Sequence, residues 1–148
     1  MINKNWKTVL VDLENKLAEF FTKKIPELPK KVKEFIVKYL PHLTILTIIL
    51  AILGIILGIA ATPFAFLSGV KIGIEQIISL LFAIVSIVFE IKAVKGLFKR
   101  EMKAWKLLFY VSLIGAISNL LRIDIGGLIL GTGISWYVLF QIRSCYKN

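Results

Sequence analysis

The chain has 148 residues, 57% of them hydrophobic, and a formal net charge of +10. That length makes one compact unit, and its apolar stretches, once assigned to a membrane, leave no room in this sequence for a soluble catalytic domain. Its lysines sit beside apolar stretches, so anionic lipid headgroups are their expected partner and nucleic acid is not. Cys145 is the only cysteine and His42 the only histidine, which rules out an intrachain disulfide and a multi-histidine metal cluster. No cofactor is expected. The first apolar run starts after about forty polar and amphipathic residues and is longer than a secretory h-region, so the sequence predicts no cleavable signal peptide.

Residues 1–24 have the pattern of an amphipathic helix. Trp6, Leu10, Leu13, Leu17, Phe20 and Phe21 recur at intervals of three and four, and Lys4, Lys7, Asp12, Glu14, Lys16 and Glu19 fall on the other side. Pro26 and Pro29 interrupt it. Pro29 is placed to open a second short helix, with Val32, Phe35, Ile36, Tyr39 and Leu40 on one face and Lys30, Lys31, Lys33 and Lys38 on the other. A helical segment with basic edges and aromatic anchors is expected to lie in the membrane interface. Trp6, Phe20, Phe21 and Phe35 would insert there, and Lys30 and Lys31 would meet the headgroups. The alternative is that residues 1–40 fold back as helices packed on the rest of the chain or on a second copy.

Residues 41–148 form the expected transmembrane domain, with spans at about 43–62, 72–93, 105–121 and 125–142. The first is long enough to cross the roughly 30 Å hydrocarbon core unaided; the others rely on charged residues at their edges reaching the headgroups. Pro41 is expected to open the first span and Pro63 to close it. The N-terminal segment, the 92–106 turn and the C-terminus are rich in basic residues, whereas the 63–73 and 122–126 turns hold one each. This alternation places both termini in the cytoplasm and the protein in the cell (inner, cytoplasmic) membrane. The predicted fold is all-α: an integral-membrane four-helix transmembrane bundle preceded by an amphipathic helical segment on the cytoplasmic side.

Residues that are costly in lipid must face protein or water. On the second span Glu75, Ser79, Ala83, Ser86 and Glu90 form one stripe, and on the third Ser112, Gly115, Asn119 and Arg122 form another. One antiparallel register sets Glu75 against Arg122, Ser79 against Asn119, Ala83 against Gly115 and Ser86 against Ser112. The expected product is a polar seam holding a tight hairpin. The competing view makes the stripe a hydrated path with Glu75 and Glu90 at its ends. Gly54 and Gly58 on the first span, Gly115 on the third, and Gly127 and Gly131 on the fourth mark faces for close helix packing. Asp124 has the right type and place to cap the fourth helix. Glu75, Arg122, Asp124, Asn119 and, at the other end, Glu90 are the candidate ligand or ion residues.

There is no phosphate-binding loop, no serine–histidine–aspartate set and no neighbouring carboxylate pair. The expected role is therefore a non-enzymatic membrane component acting through protein or lipid contacts, with anionic lipid and a second copy or another membrane protein as partners. The alternative is a subunit of a small oligomeric channel or transporter whose path is lined by Glu75, Ser79, Ser86 and Glu90.

Overall fold

The computed structural model describes residues 5–147, apart from the side chains of Trp6 and Lys7. The proposed insertion of the Trp6 side chain thus lies outside the described residues. The chain is all-helical, and among the described residues there is no strand beyond one isolated bridge between Glu101 and Lys147.

Helix α1 (Trp6–Glu19) runs into a π-helical turn, Phe20–Lys24. Pro26 disfavours helical geometry in the residue before it, and Ile25 is accordingly extended at φ −116°, ψ 140°. Pro29 stands at the N-cap of α2 (Lys30–Ser68), one residue earlier than expected, its carbonyl accepting from the Val32 and Lys33 N–H groups.

Helix α2 is continuous for 39 residues, about 58 Å, and passes through both Pro41 and Pro63. The sequence suggested a short helix ending at Pro41 and a span ending at Pro63. Each proline removes one ladder bond, but Val37, Pro41, Thr44 and Ile48 bury one continuous stripe, at spacings that only an unbroken helix keeps aligned. The broad turn expected at 63–73 shrinks to Gly69, whose φ of 146° is open to glycine and not to side-chain-bearing residues.

Helix α3 (Val70–Phe98) follows directly and antiparallel, then α4 (Met102–Leu121) after a three-residue link. Helices α2, α3 and α4 are the three that are long and apolar enough to cross a membrane, with mean hydropathy of 2.9, 2.4 and 1.5 over their spanning windows. The stretch expected as a fourth span is helical from 125, but its middle is π-helical over Gly127–Thr132 and only α5 (Gly133–Ile142) is regular. Four glycines in eight residues weaken the α-helical preference and let the turns widen.

The core lies at the end of the molecule where the π-helical turn packs on α5. Trp105 stacks on Phe109 with ring centroids 5.8 Å apart and meets Phe140 edge-on at 5.4 Å, and Trp105 Nε1 donates to the Leu139 carbonyl at 2.7 Å. Leu97, Ile142 and Val37 complete it. The opposite end is sparsely packed, with Leu67 and Ile123 each about four-fifths exposed.

Candidate functional site

An open cleft of about 400 Å³ lies above the aromatic core, with walls from all four long helical segments. Its polar lining comes one or two residues per helix: Thr44 and Thr47 from α2, Glu90 from α3, Ser112 from α4 and Ser135 from α5. Leu43, Val111, Ile134 and Val138 supply apolar wall. Leu40, Leu108 and Leu139 also line the cleft, and they pack on the core, which floors the cleft on that side.

The hydrogen bonds around the cleft leave Glu90 poorly served. Thr47 Oγ1 lies 2.8 Å from the Thr44 carbonyl and 3.4 Å from Glu90 Oε2. A hydroxyl has one proton, and the shorter contact claims it. Ser112 donates to the Phe109 carbonyl at 2.6 Å and accepts from Trp136 Nε1 at 2.9 Å, so its proton is also committed. Among the described residues no cationic side chain is within ion-pair distance of Glu90. A carboxylate in an apolar cleft with no short hydrogen bond and no ion-pair partner among the described residues is suited to meeting a cation.

The other candidate residues are distributed differently from the expected seam. Glu75 pairs with Lys71, one turn earlier on its own helix, at 3.8 Å, and no ion pair joins it to Arg122 among the described residues. Arg122 stands at the C-cap of α4 and is exposed. Ser79 donates to the Glu75 carbonyl at 2.8 Å, and Ser112 is engaged as above. Hydroxyls on helices readily satisfy themselves on the preceding turn, which takes them out of an interhelical seam. Asp124 Oδ1 accepts the Gly127 N–H at 2.9 Å, the geometry of an N-cap for the helix that starts at residue 125. The Asn119 carbonyl accepts the Asp124 N–H at 2.9 Å. The α4–α5 corner is therefore closed by local bonds.

The glycines divide into two groups. A Cβ at Gly58 would come within 2.8 Å of Leu80 Cδ2, and one at Gly127 within 2.5 Å of the Asp124 carboxylate. Gly54, Gly115 and Gly131 have nothing within 4 Å of that position. The close approaches that the GxxxG patterns did not mark are Gly73 on the Phe66 ring, at 2.5 Å, and Gly96 on Ala104, at 2.8 Å.

The N-terminal segment is docked on the core. Phe21, expected in a membrane surface, is buried and stacks on Phe140 at 5.7 Å, so it cannot insert in lipid in this arrangement. Phe20, Phe35, Lys30 and Lys31 are exposed. Three polar residues hold the docking. Buried Gln141 accepts the Leu28 N–H at 3.1 Å and donates to the Phe21 carbonyl at 2.9 Å. Arg143 binds Glu14 at 2.7 Å and lies over the Trp105 ring at 5.3 Å. The hydrogen-bonded and ion-paired partners are more than a hundred residues apart in sequence, and no local pattern pointed to them.

Neither a family model, nor a curated protein, nor a solved structure matches this chain.

Proposed function

We propose that this chain is a multi-pass protein of the cell membrane that is not an enzyme and acts through contacts with lipid and with other protein. In this reading α2, α3, α4 and the 125–142 stretch are the four spans, and residues 1–40 and the C-terminus lie on the cytoplasmic side. Anionic lipid meets the exposed Lys30 and Lys31, and a second copy or another membrane protein meets the helix faces. The observation that carries it is how little of the spanning surface the chain covers by itself. Only 11% of the spanning window of α2, 11% of that of α3 and 22% of that of α4 is buried within the molecule. Such surface must be covered by lipid tails or by partner helices.

A second reading, a subunit of a small oligomeric channel or transporter, is favoured by Glu90 in its cleft beside Thr47. Of the carboxylates at the two ends of the α3 stripe, only Glu90 faces that cleft, so a path would run past Glu90 and not along the whole stripe. Reconstitution into sealed vesicles separates the two. The first reading expects no protein-dependent flux of protons or monovalent cations. A flux that rises with protein density and disappears in Glu90→Gln would replace it with the second.

A further inference from the structure

We infer that the Glu90 cleft binds a single-chain amphiphile with an ammonium head, its charge on the Glu90 carboxylate and its alkyl chain along the aliphatic wall. The inference rests on the membrane placement of α2–α5 proposed above. Three features of the cleft select this ligand class. Its only ionisable side chain among the described residues is one carboxylate, which lacks an ion-pair partner there and whose one polar side-chain contact is the Thr47 hydroxyl, at 3.4 Å. The charge of the ligand is therefore positive. The rest of the lining is mainly aliphatic, with Val111, Ile134 and Val138 on α4 and α5. A bare metal ion would need several oxygen donors converging on one point, whereas here a single carboxylate faces a mainly apolar wall. Among the described residues no group of three metal-ligating side chains exists.

The volume points the same way. About 400 Å³ is far more than a dehydrated ion fills, and it falls within the roughly 300–1,000 Å³ usual for small-molecule sites. Among the described residues no lysine or arginine lines the cleft, so none of them would meet the phosphate of a zwitterionic phospholipid. The ammonium compound is accordingly a free amphiphile and not bilayer lipid. Leu40, Leu108 and Leu139 pack on the core and close the cleft on that side, so the chain must run away from it along the remaining aliphatic wall.

The test uses the full chain in phosphatidylcholine nanodiscs, with radiolabelled decyltrimethylammonium as probe and empty discs subtracted. Saturable binding near one probe per chain is expected. Glu90→Gln should weaken it at least tenfold, and Glu75→Gln should leave it unchanged. Ser135→Phe, which fills the cleft without altering charge, should weaken it as much as Glu90→Gln, and uncharged decanol should not saturate. Absence of saturable binding to the wild-type chain overturns the proposal. So does equal binding by Glu90→Gln, or an equal loss in Glu75→Gln. Affinity that falls tenfold in phosphatidylethanolamine discs would make bilayer lipid the occupant and overturn it too. Cysteine labelling at positions 31, 68 and 99 decides the membrane placement separately, so lost binding in a correctly inserted chain counts against this inference alone.

Discussion

Ile123 holds a left-handed backbone at φ 56° in the three-residue corner between α4 and the helix that starts at residue 125. For a β-branched residue this conformation costs on the order of 1–2 kcal/mol, and Ile123 is 79% exposed, so little packing offsets it. Ile123→Gly should raise the thermal midpoint in detergent, by about 1 kcal/mol of stability; a lowered midpoint would mean that the isoleucine side chain contributes more than its backbone costs. Tyr146 is a second residue out of balance. It is 4% exposed, and its hydroxyl has no hydrogen-bond partner among the described residues. Burial is the largest cause pushing its phenol up to about 12; Cys145 adds to the rise and Arg100 opposes it. An unfolded phenol titrates near 10, so the folded state keeps its proton to higher pH than the unfolded state does. Its contribution to stability is intact below about pH 10 and is lost as pH rises from there through about 12. Tyr146→Phe should remove this alkaline loss and, by deleting an unsatisfied buried hydroxyl, stabilise the neutral-pH protein by about 1 kcal/mol. Unfolding midpoints of the two forms at pH 8 and pH 11 provide the check.

At the scale of elements, the α2–α3 hairpin carries the largest interhelical contact, and its register is set by two glycines of unequal consequence. The Gly73 position is closed by the stiff Phe66 ring, whereas Gly58 meets the flexible ends of Leu80 and Gln76. Gly73→Ala should therefore destabilise by roughly 1–3 kcal/mol, and Gly58→Ala by less, because Leu80 can move. Gly54, Gly115 and Gly131 face open space. Alanine there should be neutral or stabilising, since alanine is favoured over glycine in helices by about 1 kcal/mol. Unfolding in mixed micelles ranks the five variants; a Gly54→Ala loss as large as that of Gly73→Ala would show that Gly54 is closely packed after all. A changed particle size with unchanged monomer stability would assign Gly54 to contact with a second copy.

For the whole molecule, α2 exceeds a hydrocarbon core of roughly 30 Å by almost that thickness again, so part of it extends past the core. Arg100 binds Glu34 at 2.8 Å, which ties the start of α2 to the α3–α4 link at one end of the molecule. Gly69 and its exposed neighbours Leu67 and Val70 form the other end. Cysteines at Lys31, Ser68 and Lys99, in a Cys145→Ser background, should react with a membrane-impermeant reagent in intact cells only at position 68. Labelling at 31 and 99 with none at 68 would reverse the proposed orientation.

Helical class and three apolar helices long enough to cross a membrane were legible in the sequence because they depend on nearest neighbours: hydropathy over windows of about twenty residues, and the three- and four-residue periodicity of a single helix. Asp124 as a cap was legible for the same reason, since its partner is three residues away. Glu90 and Ser112 were visible as members of stripes, each on its own helix. The cleft that brings Glu90 together with Thr47, Ser112 and Ser135 was not, because that depends on how four helices turn toward one another. The expected Glu75–Arg122 seam failed at the same step. A register can align residues in sequence, but hydroxyls and carboxylates take the nearest partner, and Ser79 and Glu75 find theirs on their own helix. Only the tertiary structure drew Phe21, Glu14, Gln141 and Arg143 together from opposite ends of the chain. Periodicity shows which face of a helix is apolar but not what covers it, and here the cover for Phe21 is Phe140, 119 positions away.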